Sequence, residues 1–246
     1  MNESSTLWQR LPMRFLSVFL LGLTILGAIA LGVWFERLPS VADLPTRVQS
    51  TVARHGGAFT PIGDVPLNLQ EALIVTEDER FYQNQGIDLV GLSRAIWDDL
   101  RAGRPIEGGS TLTEQLAKMV YVGNDNTVGR KLETMGIALK IAHTYSKNEV
   151  LALYLNQVYL GHGAYGVGAA AKVYFHEPVR NLDLAECALL AGLPQAPSGY
   201  DPLVHPNLAE RRQAEVLQRM VDQSVISRAQ AASAQQTLQR YLAQAT

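Results

Sequence analysis

The sequence predicts a mainly α-helical domain carried by one membrane-spanning helix near its N-terminus. Residues 15–34 run for 20 positions without a charged side chain. From Leu69 onward, apolar residues recur at three- and four-residue spacing, the pattern of helices packed by one face. No segment sustains the period-two alternation of a half-buried strand, and there are no internal repeats.

Each element has its own reason. As a helix, residues 15–34 span about 30 Å, the thickness of a bilayer core. Ser17 and Thr24 can bond back to their own helix. Arg10 and Arg14 precede the run, and Glu36 and Arg37 follow it. The positive-inside rule then sets 1–14 as a cytoplasmic tail, 15–34 as the anchor and the remainder outside. Trp8 and Trp34 suit the two interfaces. A cleaved signal peptide is the alternative, with Ala28-Ile29-Ala30 as its site, but the run exceeds the usual h-region of about 7–15 residues. Residues 35–56 read as a stalk. Pro39, Pro45, Pro61, Pro66 and Gly56-Gly57 make 38–68 an irregular lead-in. Leu69, Ala72, Leu73 and Thr76 then open a helix whose stripe continues to Glu77. Further helices are expected over 89–101, 111–120, 130–143, 147–159, 169–174, 184–190 and 209–221. An Ala/Gln-rich C-terminal helical extension covers 226–246.

Composition narrows the function. The chain has 246 residues, 47% hydrophobic and 18% charged, with a net charge of -2. That balance argues against a nucleic-acid-binding surface. One cysteine, Cys187, excludes a disulfide framework, and its apolar surroundings predict a buried inert thiol. The five histidines lack metal-ligand spacing. Gly161-His162-Gly163-Ala164-Tyr165-Gly166 matches the dinucleotide fingerprint, but it follows a predicted helix rather than a strand, so no nucleotide fold is implied.

Two clusters are chemically pointed. Glu77-Asp78-Glu79 puts three acids at a helix C-terminus, which prefers cations. Glu77 continues the apolar stripe, a placement that suits a general base or acid; a solvated helix end is the other reading. Gly108-Gly109-Ser110-Thr111 opens a helix with free N–H groups, hydroxyls and, about two turns on, Lys118. This suits an anion such as phosphate. Thr111-x-x-Glu114 equally suits a capping box. Arg130, Lys131, Glu133 and Lys147 supply further charge, or simply a solvated face.

These residues, taken in order, resemble the glycosyltransferase 51 family, the glycan-polymerising domain of penicillin-binding proteins. The matching motifs are Glu77-Asp78-x-x-Phe81-Tyr82 with Gly86-Ile87-Asp88, Gly109-Ser110-Thr111-Leu112-Thr113 with Gln115-Leu116-Ala117-Lys118, and Arg130-Lys131. They continue through Lys147-x-x-x-Leu151-x-x-Tyr154-Leu155-Asn156, residues 159–175 and 185–197, and Arg212-x-x-x-Val216-Leu217.

The resemblance implies a lysozyme-like helical domain over 57–225 with a smaller membrane-proximal lobe. It implies an inner-membrane enzyme polymerising lipid II outside the cytoplasm, with Glu77 and Glu133 catalytic. Asp78, Phe81, Gly109, Ser110, Thr111, Thr113, Gln115, Lys118, Arg130, Lys131, Tyr154 and Asn156 would bind substrate. A divalent Mg2+ or Mn2+ would suit the pyrophosphate, and no organic cofactor is implied. Partners would be lipid II, the growing glycan strand, the membrane and cell-wall synthesis proteins, with no nucleic acid. No Ser-x-x-Lys occurs in the chain, which suggests a monofunctional transglycosylase.

Four positions depart from the family pattern. Asn84 stands for His, Glu114 for Gln, Asn126 for Arg and Thr134 for the second glutamate. Glu133 lies one residue early, about 100° round a helix. An irregular helix start near Gly129 would bring it to the cleft of Glu77. The departures remove one cation and add one anion, which favours, as the alternative function, a weakened relative that binds lipid II or a synthesis partner. A lytic hydrolase is disfavoured, because finished glycan carries no pyrophosphate.

Overall fold

The computed structural model describes residues 5–102, 109–123, 125 and 127–245, with side chains from residue 16 except 95, 96, 98–100, 102 and 243–245. Gly108 and Asn126, and the side chains of Trp8, Arg10 and Arg14, lie outside the described set. The chain divides into a unit ending at Pro39 and a body from Ser40.

The first unit is one helix, α1 (Ser5–Arg37). It begins ten residues before the expected anchor, so most of the predicted tail is helical. Within it, Leu16–Arg37 has a mean hydropathy of 2.4 and no buried share, long and apolar enough to cross a membrane. Thr24 Oγ1 donates to its own helix at Leu21 O, 2.8 Å.

The body is helical throughout. Among the described residues the one extended pairing is an isolated bridge between Tyr159 and Tyr165. Its helices are α2 (Leu44–Arg54), α3 (Leu67–Glu77), α4 (Leu89–Ala102), α5 (Leu112–Ala117), α6 (Val128–Thr144), α7 (Lys147–Gln157), α8 (Val167–Phe175), α9 (Leu184–Gly192), α10 (Pro206–Asp222) and α11 (Arg228–Ala245). The expected segments from Leu69 onward all form, with ends shifted by a few residues, as fraying caps allow.

One expectation needs correction. The lead-in over 38–68 is not irregular throughout, since α2 occupies its first half. Leu44, Val48 and Val52 are buried at i, i+4 and i+8 and pack toward α7. Pro45 sits in the first turn, where its missing N–H costs no intrahelical bond.

The core is built on α3, α9 and α10, which pack on one another. α9 is apolar on nearly every face and buried accordingly. Cys187 lies inside it, and burial pushes its thiol up, so it is a packed side chain rather than a nucleophile. α11 packs on α9 and α10 through Ala231, Ala234 and Leu238. The glycine triplet that mimics a dinucleotide fingerprint is a turn between α7 and α8: Gly161, Gly163 and Gly166 all have positive φ (87°, 73°, 81°). A Cβ on Gly166 would lie 2.8 Å from Asn156 O.

Candidate active site

The site begins where α3 stops. Asp78 leaves helical geometry (φ −154°, ψ 72°), so the neighbours Glu77 and Asp78 enter different surroundings. Asp78 turns inward and is buried. It accepts from the Leu112 N–H at 3.0 Å and from Asn84 Nδ2 at 2.9 Å. Burial pushes its carboxyl up, against the pull of these donors and of Lys147. Asp78 therefore ties the end of α3 to the start of α5.

Lys147 closes the same cluster. Its Nζ donates to Asn84 Oδ1 at 3.0 Å and lies 4.4 Å from the centre of the buried Phe81 ring. Burial pushes the ammonium down, and Asp78 opposes this. Asn84 is thus a junction, since its Oδ1 also accepts from Gly86 N at 3.0 Å.

Glu77 remains half-buried. Its Oε2 accepts from Gln115 Nε2 at 2.9 Å, and Gln115 Oε1 accepts from Tyr154 OH at 2.9 Å. Tyr154 is fully buried, so the relay is anchored in the core. It fixes the amide of Gln115: the nitrogen must face the carboxylate and the oxygen the phenol.

α5 starts with a complete capping box. Thr111 Oγ1 accepts from Glu114 N at 3.0 Å, and Glu114 Oε2 accepts from Thr111 N at 3.0 Å. Thr111 Oγ1 also donates to Gly86 O at 2.6 Å. Gly86 has φ +97°, and a Cβ there would meet Ala138 O at 2.7 Å, so only glycine brings this carbonyl so close. After Ala117 the helix widens into a π turn, Lys118–Val122, closed by Gly123 N donating to Lys118 O at 2.9 Å. Such turns recur at functional sites.

A cavity of about 360 Å3 opens beside this helix, lined by Ser110, Glu114, Gln115, Lys118, Asp125, Thr127, Val128, Arg130, Lys131 and Thr134. Gln115 is the link, because it lines the cavity and holds Glu77. Lys131 Nζ donates to Ser110 Oγ at 2.9 Å and to Glu114 Oε1 at 3.0 Å. Arg130 donates to Glu133 Oε2 at 3.0 Å.

The structure therefore sorts the predicted site residues. Ser110, Gln115, Lys118, Arg130 and Lys131 meet at the cavity. Glu77 and Tyr154 join them through Gln115. Gly109 precedes the cap with φ +103°. Asp78, Phe81 and Thr111 are buried and hold the backbone together rather than line the cavity. Thr113, within α5, is 0% exposed, has no hydrogen-bond partner for its hydroxyl among the described residues, and does not line the cavity. Asn156 clamps Thr60, accepting from its N–H at 2.7 Å and donating to its carbonyl at 2.8 Å.

The irregular start expected for α6 is not found. Thr127 caps a regular helix from Val128, accepting from Arg130 N at 3.2 Å. With normal winding, Thr134 is buried and lines the cavity, while Glu133 does not line it and pairs with Arg130. The irregularity lies one element earlier, in the π turn. Glu114, Asp125, Thr127, Val128 and Thr134 line the cavity without having been assigned to substrate. Among them, Glu114 carried capping-box spacing, and Glu114 and Thr134 both stood out as departures from the family pattern.

The family model described as Transglycosylase matches residues 46–221. The chain belongs to the transglycosylase family. The chain is 41% identical over 225 residues to penicillin-binding protein 1A of Neisseria cinerea, covering 84% of this chain and 28% of that protein. It is 44% identical over 174 residues to penicillin-binding protein 1F of Bacillus subtilis (strain 168), covering 71% and 24%. It thus spans about a quarter of the length of these relatives. A crystal structure of penicillin-binding protein 1A from Haemophilus influenzae aligns with 28% identity and a TM-score of 0.43, covering 72% of this chain and 17% of that one.

A divalent cation finds little here. Among the described residues no three acidic, histidine or cysteine side chains converge. Glu114, the buried acid of the cavity, is already engaged by Thr111 and Lys131. Among the described residues, the side chains do not make a protein-only metal site.

Proposed function

We propose that the chain is a peptidoglycan glycosyltransferase that polymerises lipid II into β-1,4-linked glycan outside the cytoplasmic membrane. The observation that carries this reading is the relay from Tyr154 through Gln115 to Glu77, beside a cavity that holds Lys118, Arg130 and Lys131. Glu77 takes the proton of the acceptor 4-hydroxyl. That oxygen attacks C1 of the donor sugar from the face opposite its diphosphate, so the configuration inverts. The C1–O bond breaks, and its electron pair leaves with undecaprenyl pyrophosphate. Because the leaving group is good, the protein contributes a base, positioning and positive charge. Gln115 orients the base, and the three cations receive the diphosphate. Exposed Leu89, Val90 and Trp97 on α4, and Val128, Leu132 and Leu139 on α6, suit a lobe that touches the bilayer.

The test is incubation of the purified full-length protein with labelled lipid II, with and without Mg2+ or Mn2+. Glu77→Gln is expected to lower turnover by about 10²-fold or more while the fold survives. Equal polymerisation by this variant would remove Glu77 from the mechanism. The engagement of Lys131 by Glu114 and of Arg130 by Glu133 supports a second reading, a weakened relative that binds lipid II without extending it. Binding without polymerisation by the wild type would select it.

A further inference from the structure

We infer that Glu114 is a positioning residue: an internal counter-anion for Lys131, which a diphosphate must displace on entry and which recovers the lysine as the diphosphate leaves. This rests on reading the cavity as a diphosphate site.

The two partners are unequal. The Glu114 side chain is 3% exposed and the Lys131 side chain 46%. Glu114 is pinned at both oxygens, Oε2 by the Thr111 N–H and Oε1 by Lys131. Moving it would break the cap of α5. Lys131 ends a flexible four-carbon stem and reaches Glu114 across 17 residues of sequence. The lysine is therefore the partner that moves. Its ammonium has three donors, two of them committed to Glu114 and Ser110.

Charge sets the consequence. Three cations line the cavity, Lys118, Arg130 and Lys131, against two carboxylates, Glu114 and Asp125. The net of +1 is small for a ligand as highly charged as diphosphate. Making position 114 neutral doubles that net charge and releases Lys131. Glutamine retains the geometry, since its amide oxygen can still accept from the Thr111 N–H. Glu114 thus trades ground-state affinity for release of a multiply charged product.

The experiment uses the full chain in detergent with inorganic pyrophosphate as probe, measured by titration calorimetry. Glu114→Gln should bind it about ten-fold more tightly at low salt, with the gap narrowing at 1 M salt, where the Debye length falls to about 3 Å. In the lipid II assay, KM should fall and inhibition by added pyrophosphate should strengthen in parallel. The tightening should vanish when Lys131→Gln is also present. Its persistence there would show that Glu114 acts on the ligand directly, and the displacement account would fail. Equal affinity of wild type and variant, including no binding by either, overturns the inference. A difference in pyrophosphate affinity without polymerisation would leave the inference standing and remove the proposed function. Glu77-dependent polymerisation with no such difference would do the reverse.

Discussion

At the residue scale, one peptide bond separates two carboxylates with opposite tasks. Glu77 stays at the cavity side of the relay, while Asp78 is consumed by the backbone of α5 and by Asn84. Asp78→Asn tests this division. An amide oxygen could still accept from Leu112 N, but the amide nitrogen would face another donor, Asn84 Nδ2. The expected loss is about 1–3 kcal/mol of stability, read from denaturant unfolding. An unchanged midpoint would show that Asp78 does not clamp the two helices. Sequence could mark both acids as notable but could not separate them, because the change of direction at residue 78 depends on partners 6 and 34 residues away. Phe81, Thr113 and Asn156, expected from the resemblance to bind substrate, are buried and do not line the cavity. They belong to the motif because they hold its shape, and burial is not visible in a motif.

At the scale of elements, winding decides which side chain reaches the cavity. α6 is regular, so its inward position is 134 and not 133. Glu133→Ala removes only a half-exposed pair with Arg130, and it should change stability by less than about 0.5 kcal/mol and polymerisation by less than about two-fold. Adding Thr134→Glu turns a carboxylate inward and should raise polymerisation if the site lacks its second acid. A marked loss in Glu133→Ala alone would restore Glu133 to the chemistry. The contact of α9 with α11 offers a pH test. Burial, with Asp183 and Glu177 nearby, pushes the Glu186 carboxyl up to about 7. The folded state therefore binds a proton more tightly than the unfolded chain. The stabilisation is fully present below the ordinary glutamate range and is lost as pH rises through about 7. Stability should fall between pH 5 and pH 8, and Glu186→Gln should flatten that slope. A slope unchanged in the variant would place its origin elsewhere. Periodicity made most of these elements legible. α2 was hidden because Pro39 and Pro45 outweighed the buried triplet Leu44, Val48 and Val52.

At the scale of the whole molecule, a helix fit to span a bilayer precedes a body with its own core. The flanking arginines of the sequence set an orientation that a reporter fused after Ala245 can read. Activity outside the cytoplasm is expected, and activity confined to the cytoplasm would reverse the topology. A mature N-terminus near Leu31 would instead reveal cleavage. The helical architecture was readable because one-sided apolar stripes survive in any local sequence. The pairing of Lys131 with Glu114 was not, because the two meet only after α5 and α6 pack together.

The π turn at Lys118–Val122 has a consequence for comparing chains of different length. A widened turn of this kind holds one residue more than an α-turn needs, and it takes up the surplus locally. Loss of a single residue there can be absorbed by tightening to ordinary winding, with Gln115 before it and Arg130 after it left in place. The same loss inside α6 would rotate every following side chain by about 100°. A one-residue gap at 119–122 in an alignment is therefore compatible with an intact cavity, whereas a gap at 128–134 marks a site whose inward-facing residues have been exchanged.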